Sequence, residues 1–343
     1  MMANRTAGDL AKLLGCPLQG EENLKLKGVA SPEAAEPDDL VYLDSIRHRE
    51  RVIHSAASCV ITSPDLPVPG KTLILASRPK MAFARAAAWL VPPSALAEGV
   101  HPTAVIAESA RLSRGAAVGP FAVIEEEVEV GDGAQIGAFC FVGRGALLGY
   151  GCRLYPRVTL YPGVKIGRNV TIHSGAVLGC DGFGYVTDRL TEGGKHWKFP
   201  QVGNLEVADD VEIGANTTIA RGSLGVTRLG AQAKLDNLVH LAHNVQVGER
   251  TLIAAQTGVA GSSVIEDDVV IGGQVGIADH CRLEAGCVAG AQAGIPSGKV
   301  IRRGQTVWGT PARSIERFKE QYGWFARLPE LAERIRALEK EKK

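Results

Sequence analysis

The 343-residue chain lacks a charge of one sign: 38 Lys and Arg stand against 37 Asp and Glu, a net charge of +1. That balance offers no global attraction to nucleic acid. No apolar run reaches the roughly 18 residues of a membrane-spanning helix, and no secretory leader pattern opens the chain, so a cytoplasmic protein without an integral membrane segment is expected. The seven Cys lack the paired spacings of a disulfide framework or a zinc site and are expected as buried free thiols. The middle of the chain also lacks a period near 3.6 or 2, which excludes amphipathic helices and flat half-buried strands there.

What the middle has instead is a six-residue beat. From Val100, Ile106 and Leu112 through to Ile166, Ile172 and Leu178, every sixth residue is Val, Ile or Leu. Four residues after each of the first thirteen stands only Ala, Val or Cys, from Ala104 through Cys140 and Cys152 to Ala176. One large and one small inward residue per six fits short strands joined by corners, the hexapeptide pattern of a parallel β-helix. The beat stops near Cys180, resumes at Val207, Ile213 and Ile219, slips around Arg221 to Arg228, and then runs from Leu229 to Leu283. With three sides to a coil, residues about eighteen apart stack at strand spacing, roughly 4.8 Å. Extra residues cannot enter such a core, so 180–200 and 220–228 are expected as surface loops, where binding groups are commonly carried.

Residues 1–98 read as a small α/β domain. Thr6 caps a helix from Ala7 to Leu14 that Gly15 closes, strand-like runs follow at Leu24–Val29, Leu40–Leu43, Ser58–Thr62 and Thr72–Leu75, and a helix spans Pro79 to Leu90. The β-helix is assigned to 99–294. From 295 onward the chain is Gly/Pro-rich and basic, then turns helical, with Ile315, Phe318, Tyr322, Phe325, Leu328, Leu331, Ile335 and Leu338 forming a stripe expected to pack on the body or on a partner helix. The last charges, Glu339 to Lys343, are expected in solvent.

The densest polar cluster in the regular coils runs from Asp236 to Asn244. One coil beyond His243 is Gly261, and two coils beyond is Asp279, followed by His280. His243, the Gly261 backbone and His280 could therefore line one groove. An imidazole suits general-base work near neutral pH, and a bare glycine N–H can approach a developing oxyanion. Two solvent-facing histidines on a flat side would give the same spacing. His240 and His243, three apart, point to opposite faces of an extended strand unless a corner intervenes, and no third ligand keeps register, so no metal is expected.

The runs Asp181-Gly182-Phe183-Gly184-Tyr185, Lys198 to Gly203, Asn216 to Ile219 with Arg221-Gly222, and Asp236-Asn237 through Ala242-His243-Asn244 resemble those of the UDP-3-O-(3-hydroxyacyl)glucosamine N-acyltransferases of lipid A biosynthesis. The resemblance spans essentially the whole chain. It implies a mainly β fold, a left-handed parallel β-helix of hexapeptide repeats with an N-terminal α/β uridine-binding domain and a C-terminal helical extension, assembled as a homotrimer. By the same resemblance, His243 is the general base, Gly261 the oxyanion donor, Asp236 a residue that orients His243, and His280 a second histidine near the thioester. Asn237, His240 and Asn244 fall at polar positions of the groove, and Tyr42 and His48 stand where the family sandwiches uracil between a Phe and a Tyr. The implied donor is acyl carrier protein, whose phosphopantetheine brings the acyl chain, so no other cofactor is called for. Acyl carrier protein is acidic, and Arg302, Arg303, Arg313 and Arg317 form a basic docking patch suited to it. The implied acceptor is UDP-3-O-acyl-glucosamine. Departures remain: His240 replaces a frequent Gln, and Ala220 precedes Arg221-Gly222 where an acid is common. Another nucleotide-sugar acyl- or acetyltransferase, and a non-catalytic scaffold, stay open at this point.

Overall fold

The computed structural model describes residues 5–188 and 194–341, which fall into two compact units, Met1–Ala95 and Leu96–Lys343. In the first, α1 (Ala7–Leu14) starts at Thr6, whose hydroxyl accepts from the Asp9 N–H while the Asp9 carboxylate returns to the Thr6 N–H. This reciprocal cap satisfies two orphan donors of the first turn. Gly15, at φ 66°, closes the helix in the left-handed conformation. Strands β1 (Leu18–Gln19), β2 (Gly28–Val29), β3 (Asp39–Leu43), β4 (Cys59–Thr62) and β5 (Thr72–Leu75) form one sheet in the order β1-β5-β4-β3-β2, parallel except for the β1–β5 pair. A 3-10 turn (Ile46–His48) and α2 (Arg49–Ile53) follow β3, and α3 (Pro79–Leu90) packs Ala82, Ala86 and Leu90 into the core with Leu10, Leu40 and Ile61. The run Leu24–Val29 yields only the two residues of β2, and the sequence reading passed over β1.

The second unit is the left-handed parallel β-helix. Away from the two excursions, two-residue strands recur every six residues and pair in parallel with the strand eighteen residues on, as Ile124 does with Val142 and Val142 with Leu160; across the excursions the offset grows to 41 and then 22 residues. Three sheets result, and we name them by their outward residues. The histidine face runs from Val105–Ile106 to Gly294–Ile295, the ion-pair face from Arg111–Leu112 to Val300–Ile301, and the aliphatic face from Gly99–Val100 to Arg313–Ser314. The second residue of each regular strand points inward, and these aliphatics form one continuous core with the small residues between them. Where the small slot is polar, it bonds a corner carbonyl fifteen residues on: Thr251 donates to Glu266, Thr257 to Gly272, and the thiols of Cys140 and Cys152 to Tyr155 and Gly167. The cysteines are all free, and burial pushes the Cys59 thiol up to about 12 and Cys140 and Cys152 to about 11, which makes them packing groups rather than nucleophiles.

Four features differ from the sequence reading. The β-helix does not stop at 294: strands Val288–Ala289, Gly294–Ile295, Val300–Ile301 and Thr306–Trp308 continue it, with Ala289, Ile295, Ile301 and Val307 inward. Ala289 at the large-residue position hides the beat. The first excursion contains an antiparallel hairpin, Tyr185–Asp188 with Lys195–Lys198, whose intervening residues 189–193 lie outside the described ones. The second is shorter than expected, because Val226–Leu229 already pairs with Asn204–Val207. The terminal stripe forms two helices, α4 (Ile315–Ala326) and α5 (Leu328–Glu341), rather than one. Phe318 stacks between Trp308 and Tyr322, whereas Phe325, Leu328, Ile335 and Leu338 are exposed. Of the final charges, Lys342 and Lys343 lie outside the described residues.

Candidate active site

A groove of about 710 Å3 runs along the histidine face over the C-terminal coils. Its floor follows from the outward residues of successive strands: His240 pairs with Gly258, Gly258 with Gly276, and Gly276 with Gly294. A Cβ on Gly258 or Gly276 would meet nothing within 4 Å, so the missing side chains leave open space rather than fitting a tight contact. The walls are largely apolar, with Val259, Ile277, Ile295, Pro296 and Pro311, and Phe183 of the first excursion, 87% exposed, stands at one end beside His243.

His243 follows strand His240–Leu241 at a corner and is half-buried. Its carbonyl accepts from Ser262 N–H one coil on, which places Gly261 directly against the ring. A methyl on Gly261 would stand 2.7 Å from both Cε1 and Nε2 of His243, so only glycine admits the imidazole there. The Gly261 N–H donates to no backbone carbonyl among the described residues. On the other side, Nδ1 lies 3.1 Å from Asn244 Oδ1. This combination of a held imidazole, a glycine packed against it whose N–H has no backbone acceptor, and an apolar channel can accept a proton and offer a donor to an oxyanion.

The remaining expected residues divide between locations. His240 lines the same groove as His243, because the corner after Leu241 brings them to one side. Desolvation lowers the His240 pKa, opposed by a hydrogen bond to the Thr218 backbone. His280 does not line the groove. Its N–H donates to Gly261 O at 3.2 Å, and the residue sits exposed at a left-handed corner one position past the stacked column of His243, Gly261 and Asp279. Asp236 does not orient His243 within the chain. Its carboxylate accepts from the N–H groups of Asn237 and Ala255, and it lines a separate groove of about 670 Å3 on the aliphatic face. Asn237 lines that groove too, its Oδ1 taken by Ala215 N–H. The physical reason is the corner: Asp236 and Asn237 end a strand of one face, and His243 ends a strand of the next. Asn244 is behind the imidazole rather than in the groove.

In the first unit Tyr42, on β3, packs against Phe83 of α3 with ring centres 4.8 Å apart and the rings tilted by 39°. His48 is exposed at the end of the 3-10 turn, 3.5 Å from Arg51, and no ring contact joins Tyr42 to His48 among the described residues. Of the basic patch, Arg302 is paired with Glu284 at 2.9 Å and Arg313 bonds Gln321, while Arg303 and Arg317 are exposed and make no side-chain ion pair among the described residues. Among the described residues no three His, Cys, Asp or Glu gather as a metal site, and no helix is long and apolar enough to cross a membrane. The sequence reading missed the glycine column, which is visible by stepping eighteen residues from His240, and it missed Gln201 and Ser223, for which no spacing signal exists.

Residues 23–89 match the family model described as UDP-3-O-(3-hydroxymyristoyl) glucosamine N-acyltransferase, LpxD, and residues 145–180 match the bacterial transferase hexapeptide model. The chain is 42% identical to a UDP-3-O-acylglucosamine N-acyltransferase of Pseudomonas syringae pv. tomato, over 74% of this chain and 71% of the relative. It is 38% identical to proteins of the same name from Anaeromyxobacter dehalogenans, over 78% and 77%, and from Coxiella burnetii, over 74% of each.

Proposed function

This chain belongs to the UDP-3-O-acylglucosamine N-acyltransferase family, and from that premise we propose that it transfers a 3-hydroxyacyl chain from acyl carrier protein to the 2-amine of UDP-3-O-(3-hydroxyacyl)glucosamine. The product is UDP-2,3-diacylglucosamine, for lipid A. One observation carries the reading: His243 Nε2 stands against Gly261 at the head of an apolar, glycine-floored groove.

In this mechanism the uncharged amine attacks the thioester carbonyl while His243 Nε2 takes its proton. The Gly261 N–H donates to the carbonyl oxygen as that oxygen gains charge. The C–S bond then breaks, and the imidazolium returns the proton to the departing thiol. The reaction so drawn calls on no metal or organic cofactor. The acyl chain lies along the glycine column, where burial of each methylene contributes about 0.8 kcal/mol.

A homotrimer would complete the site. Leu252 and Val270, outward on the aliphatic face and 46% and 40% exposed, are unusual as solvent-facing residues and suit burial against the groove of a neighbouring copy. Asp236, on that same face, would then reach the His243 of the neighbour. Tyr42 and His48 would hold the uracil, and Arg303 and Arg317, with Arg302 and Arg313, would receive the acidic carrier protein. The test is acyl transfer to UDP-3-O-acyl-glucosamine from 3-hydroxyacyl carrier proteins of graded length, with His243→Ala as control. Transfer that vanishes in the control is the expected result. A folded protein that transfers from no donor, or transfers undiminished without His243, overturns the reading.

A further inference from the structure

The two excursions from the β-helix meet behind the imidazole. Ser223 of the second excursion donates its backbone N–H to Asn244 Oδ1 at 3.0 Å. Because a backbone N–H can only donate, this bond fixes which end of the Asn244 amide is oxygen. That same oxygen faces His243 Nδ1 at 3.1 Å. An amide oxygen only accepts, so Nδ1 carries the proton, and a neutral imidazole then leaves Nε2 bare. Nε2 is the nitrogen turned toward Gly261.

The mount extends further. Asn244 N–H donates to the buried Thr227 hydroxyl at 2.9 Å, and its carbonyl accepts from Gln246 at 3.3 Å. The Ser223 hydroxyl donates to Gln201 Oε1 at 3.2 Å, and Gln201, only 7% exposed, donates in turn to the Phe199 carbonyl at 3.1 Å. Gln201 and Phe199 close the first excursion. Asn244 occupies a left-handed corner at φ 60°, but its backbone does not require asparagine, since Leu238 holds the preceding corner at 61° and Ser262 the equivalent corner one coil on at 60°.

We propose that Asn244 is a positioning residue that locks His243 in the Nδ1–H tautomer, and that Ser223 and Gln201 hold the amide for that task. The proposal rests on His243 acting as the base of the reaction above. A neutral acceptor at Nδ1 sets the tautomer without adding a second carboxylate to the one, Asp236 of a neighbouring copy, that the proposed trimer would bring to the ring. The titratable groups on the elements around the ring are Asp181, paired with Lys198, Tyr185, His240, and Asp279 with His280 two coils on. Arg221 is turned away onto the carbonyls of Gly179 and Pro162.

The test is Asn244→Asp, an isosteric change at a corner type that Asp210 and Asp268 already occupy in this chain. The His243 ring is titrated by NMR, its signal assigned by its loss in His243→Ala. The expected result is an upward shift of the titration relative to wild type, with the acid limb of kcat/KM moving the same way and the acceptor KM little changed. Asn244→Ser, copying Ser262, should reveal a mixture of ring tautomers by nitrogen chemical shift and lose on the order of tenfold in kcat. A titration that does not move in Asn244→Asp, or an unchanged tautomer in Asn244→Ser, overturns the proposal. The NMR readouts need no turnover, so a wild type that fails to transfer acyl groups sinks the functional reading while the tautomer result still decides the role of Asn244.

Discussion

Along the ion-pair face the outward residues run Lys165, Glu206, Arg228 and Gln246, and along the histidine face the same stretch of coils presents Val177, Thr218, His240 and Gly258. Beneath them the two faces are alike: Ile166, Val207, Leu229 and Val247 on one side, Leu178, Ile219, Leu241 and Val259 on the other, all buried. Glu206 bonds Arg228 at 3.1 Å and Lys165 at 3.3 Å, so that face covers its coils with paired charge. The histidine face carries Gly258 and, in the next two coils, Gly276 and Gly294, and so leaves a channel. A solenoid whose interior is fixed by the repeat can therefore place solvation on one side and chemistry on another by changing one outward residue per coil.

His243→Ala should break the comparison most, removing the one outward-facing group that separates a reactive face from a covered one. The rate is expected to fall by roughly 10²–10⁴ while the melting temperature holds, as steady-state kinetics beside thermal unfolding would show. A marked loss of stability instead would make the residue structural. Leu241→Ala and Leu229→Ala test the shared interior. Each should cost about 2–5 kcal/mol, and the two denaturation curves should agree closely, because the site above one of them does not alter the packing below.

Gly276→Leu would sharpen the contrast by filling the channel midway. Transfer from long-chain donors should fall by on the order of tenfold or more, since one or more pairs of methylenes lose their place at about 0.8 kcal/mol each. Short donors should be spared, and Val264→Leu, outward on the ion-pair face, should leave both unchanged. Equal loss for all chain lengths would mean that the glycine column is not the acyl channel. The smallest effect is expected from Glu206→Gln. Arg228, then Lys165, hold the Glu206 carboxyl below its usual range. A folded value below the unfolded one gives a contribution present above the ordinary carboxylate range and lost as pH falls through the folded value. The pairs are exposed, so at most a few tenths of a kcal/mol should separate variant from wild type at neutral pH, and 1 M salt should erase it.

How much of this was legible depended on whether a contact is periodic. The strand positions, the inward residues and the stacking of Gly261 on His243 all follow from counting by six and eighteen. The count failed at Ala289, where a small residue stands at a large residue's place, and so the β-helix was ended too early. It also did not reveal that Asp236 and His243, seven apart, belong to different faces, because one corner lies between them. In the first unit the cap Thr6–Asp9 and the closing Gly15 were readable from local chemistry, whereas the Tyr42–Phe83 contact joins residues forty-one positions apart without any repeat to announce it.

By itself the sequence determined the β-helix, its interior and the stacking of Gly261 on His243, because a repeat makes distant residues neighbours by arithmetic. Only the tertiary structure decided which nitrogen of His243 is bare and what holds it there. That outcome depends on Ser223 and Gln201, which sit in the two excursions where the period is interrupted, and their meeting with Asn244 is set by three-dimensional packing that no spacing encodes.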